Sequence, residues 1–233
     1  MNGTLFVVAT PIGNLQDISL RAVDVLDLVD FILCEDTRTT STLLRSIAKK
    51  FPEFKNKAKL VSYYEENEPK RIPEAIDLLK KDFNFALVSD AGTPTISDPG
   101  FKLVRECIKE KIRVEAIPGP SSVITALVSS GLPTDKFMFI GFLPKKPGHR
   151  TDLFKNIKIA AEAVKQTVIF FESPFRLIKT LGELKEIFGD IDMVTAREIT
   201  KIYEEIRKEK ISEALAHFNK NKPKGEFVVL FHL

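Results

Sequence analysis

Short runs of almost purely apolar residues recur along the chain, separated by stretches in which apolar positions fall every three or four residues. Leu5 to Thr10, Phe31 to Cys34, Leu60 to Tyr64, Phe85 to Ser89 and Val114 to Ile117 are of the first kind. Runs that are apolar throughout, rather than at alternate positions, belong to strands covered on both faces. Between them the spacing predicts helices. Leu20, Val23, Leu26 and Val29 follow Ser19, a residue able to cap a helix start. Further helices are predicted at about 72–81, 102–111 and 121–130. Strands alternating with helices imply a mostly parallel sheet with helices on both faces.

Gly131-Leu132-Pro133-Thr134 interrupts this pattern. Beyond it come strands at Phe137 to Phe142, Thr167 to Glu172, Met193 to Ala196 and Phe227 to Phe231, with a helix from about Phe175 to Ile187. The stretch from Lys201 to Lys210 alternates charge sign and reads as a solvated element with no assigned function. Two small α/β domains with mostly parallel sheets fit better than one long sheet. They are placed at 1–118 and 119–233, with the boundary somewhere in 118–134. Ligands of such folds sit beyond the carboxyl ends of the strands or in a cleft between domains.

Composition narrows the class. The 233 residues carry a formal net charge of +3, too mild to announce a nucleic-acid binder. Residues 1–118 hold 17 basic and 18 acidic side chains, and residues 119–233 hold 18 and 14, so an anionic partner is better sought in the second half. Cys34 and Cys107 stand far apart in apolar surroundings, which reads as two core thiols and neither a disulfide framework nor a zinc site. No apolar run has the length of a membrane span, and the first residues lack a basic region and a small-residue cleavage site. A cytoplasmic enzyme or binding protein without metal or membrane partner is the expectation.

Three Gly/Pro-bearing loops each follow a predicted strand: Thr10-Pro11-Ile12-Gly13-Asn14, the segment from Ser89 to Gly100, and Pro118-Gly119-Pro120-Ser121-Ser122. Glycine lets backbone approach a ligand and proline sets the turn, so such loops present main-chain groups. None has the spacing of a P-loop or a dinucleotide fingerprint. The middle loop carries Asp90 and Asp98 and no Lys or Arg, which disfavours a polyphosphate. A ligand with a positive centre and a nucleoside suits it better, and S-adenosylmethionine answers that description.

The segments VATPIGNLQDISLRA, ILCEDTRTT, VSDAGTPTISDPG, IPGPSSVITAL, SSGLPTDKFMFIGFLP, FFESPFRL and AREITK occur in this order. Together they resemble the small-subunit ribosomal RNA (cytidine 2′-O)-methyltransferase family of the tetrapyrrole-methylase superfamily, from Leu5 to about Phe231. The resemblance implies two α/β domains with S-adenosylmethionine in the cleft between them, and a homodimer. It implies donor contacts from Pro11, Ile12 and Gly13, from Ala91, Gly92, Thr93 and Ile96, and from Ser121 and Ser122. In the second half it implies Phe171, Glu172, Ala196, Arg197 and Gly225. Tyr64-Glu65-Glu66-Asn67-Glu68 stands where the family commonly has a His-containing segment.

Methyl transfer to a ribose hydroxyl benefits from a base. Asp90, Asp98, Glu35, Asp36 and Glu172 are the candidates, each weighed against a loop-capping or ion-pairing carboxylate. Arg38 either pairs with Asp36 or contacts RNA phosphate. For the RNA, Lys145, Lys146 and Arg150 form the best basic cluster, on a loop expected to be flexible. Phe142 and Tyr64 are aromatics that either stack on a base or fill a core. The leading expectation is 2′-O-methylation of a cytidine in small-subunit ribosomal RNA, free or within the assembled subunit. The alternatives are a tetrapyrrole or protein side-chain acceptor, and a non-catalytic nucleotide- or RNA-binding module.

Overall fold

The computed structural model describes residues 2–233, and they divide into two compact units, 2–121 and 122–233. In the first, strands and helices alternate: β1 (Thr4–Val8), α1 (Leu20–Leu28), β2 (Phe31–Cys34), α2 (Thr37–Lys50), β3 (Lys59–Ser62), α3 (Glu68–Leu79), β4 (Phe85–Val88), α4 (Phe101–Lys109) and β5 (Arg113–Ile117). The strands form one five-stranded sheet in the order β3-β2-β4-β1-β5, with every pairing parallel. Both faces are covered, as the uninterrupted apolar runs require. Val8, Ile32, Cys34, Ala86 and Val88 meet Ala22, Val23 and Leu26 of α1 and Ile47 of α2 on one side. Leu5, Leu33, Phe85 and Leu87 meet Ala75, Ile76 and Leu79 of α3 and Leu103 and Cys107 of α4 on the other.

The order of this sheet matters for function. β1 and β4 are neighbours, yet the chain leaves β1 for α1 on one face and β4 for α4 on the opposite face. The two connections diverge and open a crevice at the carboxyl edge, the place where α/β sheets hold ligands. Ser19 caps α1 as its position implied, its side chain accepting from the Ala22 N–H at 3.1 Å. α2 escaped the periodicity reading because its Thr- and Ser-rich sequence leaves only a sparse apolar stripe at Leu43, Leu44 and Ile47.

The second unit holds α5 (Ser122–Ser129), β6 (Phe137–Phe142), α6 (Pro147–Ala163), β7 (Thr167–Glu172), α7 (Leu177–Phe188), β8 (Asp192–Arg197), β9 (Glu205–Lys210), α8 (Ile211–Lys220) and β10 (Phe227–His232). Its sheet runs β6-β7-β10-β8-β9, and only β6 and β7 pair in parallel. This corrects the expectation of a mostly parallel second sheet. The last strand inserts between β7 and β8 against both, a pairing that local sequence does not reveal. α6, α7 and α8 bury Phe154, Leu181 and Phe218 on Phe170, Val229 and Phe231, while α5 lies along β10 and β7. The stretch read as solvated is the edge strand β9. Its Glu205, Arg207 and Glu209 face one way and pair with one another, and such charges discourage a further strand from adding to the edge.

The segment expected to be a flexible basic loop is mostly the start of α6, preceded by Lys146. Arg150 is 1% exposed, with its guanidinium held bidentately by Glu183 of α7 and donating to the Pro144 carbonyl at 3.1 Å. Arg150 therefore ties α6 to α7 and is not available to a phosphate, which corrects its assignment to RNA. Among the described residues no helix is long and apolar enough to cross a membrane. Arg150→Met leaves the partly buried Glu183 carboxylate without its partner and should cost about 2 kcal/mol in urea denaturation. Arg150→Met with Glu183→Leu should recover most of that loss.

Candidate functional site

The three Gly/Pro loops come together at the carboxyl edge of the first sheet. Thr10 and Gly92 exchange two backbone hydrogen bonds, 2.9 and 3.0 Å, so the turn after β1 is bridged to the turn after β4. The Thr10 hydroxyl, buried, donates to the Ser89 carbonyl at 3.0 Å. Thr93 Oγ1 donates to the Pro120 carbonyl at 3.0 Å, joining the middle loop to the turn after β5. Gly92 sits at φ +87°, and a Cβ there would lie 3.3 Å from Ile12 Cγ2. A Cβ at Gly119 would meet the Ala9 side chain at 3.0 Å. Two non-glycine residues of the middle loop, Thr95 (φ 73°) and Ser97 (φ 65°), also occupy the left-handed region, a strain the surrounding contacts must hold. Pro11 and Ile12 are buried in this arrangement, whereas Gly13, Ala91 and Ile96 are exposed and Thr93, Ser121 and Ser122 lie between.

An anchor that sequence reading missed closes the far end of the middle loop. Glu68, 3% exposed, accepts from the Tyr63 hydroxyl at 2.9 Å and from the Gly100 N–H at 3.1 Å, and pairs with Lys102 at 2.8 Å. Burial works against its charge, but these three donors win and hold the carboxyl below its ordinary value. Nothing in a Glu at a helix start signals that it will be buried, because its partners lie as far as 34 residues away.

Carboxylates gather where β2 and β4, adjacent strands, end. Asp36 caps α2 by accepting from the Arg38 N–H at 2.8 Å and pairs with the Arg38 guanidinium, which holds the acid near 2. Arg38 thus makes the internal pair, and its side chain stays exposed. Asp90 accepts from the Asp36 N–H at 3.3 Å. Glu35 is different: burial and then the charges of Asp98 and Asp90 push its carboxyl up to about 7. Burial also raises Asp98 and Asp90. Three acids that resist ionising, next to loops built of main chain, can take up a proton or favour a cationic ligand.

The residues singled out in the second unit occupy one edge of its sheet. Glu172, at the end of β7, is buried and fully engaged. It accepts from the Ser173 N–H at 2.7 Å and the Thr180 hydroxyl at 2.6 Å and pairs with Arg176 at 2.7 Å. Both of its oxygens are taken, so it holds the β7–α7 turn and is not free to act as a base, a correction to its catalytic assignment. Phe171 packs edge-on against Phe139 and Phe142, with centroids 5.0 and 5.3 Å apart. Ala196 is buried, and Arg197 Nε lies 3.2 Å from Glu205 but out of line for a hydrogen bond. Gly225 (φ +85°) has no room for a side chain, since a Cβ would fall 2.6 Å from Glu198 Cγ. Lys145 and Lys146 are exposed.

The family description "Tetrapyrrole (Corrin/Porphyrin) Methylases" matches residues 4–215. The chain is 47% identical over 228 residues to a protein of Thermotoga maritima named "Ribosomal RNA small subunit methyltransferase I", covering 98% of this chain and 97% of that one. A Hydrogenobaculum protein of the same name is 46% identical, covering 97% and 94%. Among solved structures, uroporphyrin-III-C-methyltransferase from Thermus thermophilus superposes with a TM-score of 0.62 at 17% identity, covering 99% of this chain and 92% of that one, a likeness of fold.

The raised Glu35 carboxyl has a consequence for stability. The fold favours its protonated form, so this stabilisation is full below about pH 4.5 and is lost as pH rises through about 7. Glu35→Gln should match the parent in urea denaturation near pH 4.5. At pH 8.5 it should be more stable by on the order of 1 kcal/mol, part of the repulsion being screened by solvent.

Proposed function

Since the chain belongs to the tetrapyrrole methylases and, within them, to the ribosomal RNA small subunit methyltransferase I family, we propose that it is an S-adenosylmethionine-dependent methyltransferase acting on the 2′-hydroxyl of a cytidine in small-subunit ribosomal RNA. The observation that carries the donor assignment is the bridged pair of loops at the β1/β4 crevice. They offer backbone groups, buried Pro11 and Ile12, and glycines whose β-positions are already crowded, with carboxylates alongside and no Lys or Arg in the middle loop. That set fits a nucleoside bearing a positive centre and resists a polyphosphate.

In this reading Pro11, Ile12, Gly13, Ala91, Gly92, Thr93, Ile96, Ser121 and Ser122 hold the donor in the first unit. Phe171, Ala196, Arg197 and Gly225 contribute from the second, with Glu172 fixing the turn beside them. When bound, S-adenosylmethionine supplies a methyl group already activated on a sulfonium, so the protein's task is alignment. Glu35, Asp90 and Asp98 remain as acceptors for the ribose proton. Glu35 suits the role best, since a carboxyl titrating near 7 is matched to proton transfer at neutral pH. Lys145 and Lys146 neutralise RNA phosphates. The acceptor is the ribosomal RNA or the assembled small subunit, which places the enzyme in the cytoplasm. Homodimerisation accords with the apolar side chains that α5 leaves exposed, Ile124 and Val128.

Titration calorimetry with S-adenosylmethionine tests the donor site. Gly92→Arg should abolish the heat of binding while far-UV circular dichroism stays unchanged. Heat retained at parental affinity would remove the donor from these loops. Methyl transfer from labelled donor to deproteinised RNA and to small subunits tests the acceptor, and labelling of neither would overturn it. Replacing Lys145 and Lys146 with Ala should lower the slope of log affinity against log salt by about 2, leaving donor affinity intact.

A further inference from the structure

β6, β7 and β8 run in one direction, and β9 and β10 run against them. The ends of the first three and the starts of the last two therefore share a single edge of the second sheet, the edge that also carries Phe171, Ala196, Arg197 and Gly225. Large apolar side chains emerge there into solvent. Phe142 at the end of β6 is 60% exposed, Phe175 in the turn after β7 is 91% exposed, and Tyr203 in the β8–β9 turn is 70% exposed. From β6 to β9 the row spans four strand spacings, roughly 19 Å.

These tips are held in place and do not trail in solvent. Phe175 N–H donates to Ser173 Oγ at 3.3 Å, and Arg176 N–H to the Ser173 carbonyl at 3.0 Å. In the β8–β9 turn the Thr200 N–H donates to Glu204 at 2.5 Å, and the Glu204 N–H to the Lys201 carbonyl at 3.0 Å. Glu198 and Glu226 share Lys201, at 3.1 and 2.7 Å, and Glu204 accepts from the Thr200 N–H. Lys145, Lys146 and Lys224 are exposed and have no acidic partner among the described residues. Presented rings interleaved with unpaired ammonium groups match an unpaired polynucleotide, whose bases are free to stack and whose phosphates need neutralising. A duplex, with its bases already stacked on one another, has no use for the rings.

We propose that Phe142, Phe175 and Tyr203, with Lys145, Lys146 and Lys224, form a stacking platform for unpaired nucleotides of the RNA substrate. The proposal rests on the methyltransferase reading and narrows the substrate of that enzyme to a single-stranded or looped segment. Fluorescence anisotropy of the full chain with a labelled single-stranded RNA oligonucleotide, and with the same strand annealed to its complement, tests it. Phe175→Ala and Tyr203→Ala should each weaken single-strand affinity roughly ten- to a hundredfold. Tyr203→Phe should keep it, duplex affinity should not move, and the calorimetric affinity for S-adenosylmethionine should stay unchanged. Unchanged single-strand affinity, in a preparation that still methylates RNA, overturns the platform and leaves the enzyme's function standing. Failure of the parent protein to bind donor or methylate RNA overturns the wider reading instead. If sedimentation shows Phe175→Ala or Tyr203→Ala splitting a dimer, and RNA affinity returns wherever the dimer is restored, the edge is a contact between copies of this chain and the platform is overturned.

Discussion

At the centre of the first unit, two adjacent parallel strands send their chains away on opposite faces, and the loops they release are tied by a pair of backbone hydrogen bonds and by the Thr10 hydroxyl. The reciprocal hydrogen bonds between Thr10 and Gly92 settle how close the turns after β1 and β4 approach. From that contact the rest follows. Gly92 needs its left-handed φ, Gly119 has to lie against Ala9, and Thr93 can reach the Pro120 carbonyl. At Gly92 and Gly119 a side chain has little room, so the loops present peptide groups there, whose positions are set by the sheet and not by rotamers.

The charged groups divide into two kinds. Glu68, Glu172 and the Arg150–Glu183 pair are buried with every oxygen or fork answered, and they hold turns and helices in place. For Glu35, Asp90 and Asp98, burial first and then the charge of neighbouring carboxylates raises the preference for the proton. The first kind supports the fold. The second costs stability once ionised, and such unfavourable clustering is what functional sites retain.

The second unit solves a different problem with a mixed sheet. Antiparallel insertion of β10 between β7 and β8 brings the ends of three strands and the starts of two onto one edge. That edge gathers Gly225, Arg197 and Phe171, along with Phe175 and Tyr203, which are distant in sequence. β9, by contrast, spends its charges on itself and closes the sheet.

Much of this was readable along the chain. Strands covered on both faces announce themselves by unbroken apolar runs, so β1 to β5 and β7 could be located within a residue or two, as could the Ser19 cap and the three loops that follow β1, β4 and β5. Cys34 and Cys107 read as core thiols and are buried. Those features depend on near neighbours, and near neighbours are what a linear pattern records. Strand order, the reversal of β10, the strand hidden in the alternating charges of β9, the burial of Arg150 against a partner 33 residues away and the raised carboxyl of Glu35 depend instead on which distant groups arrive in contact. The worth of a charge is set by the dielectric and partners around it, and those exist only after the chain has folded.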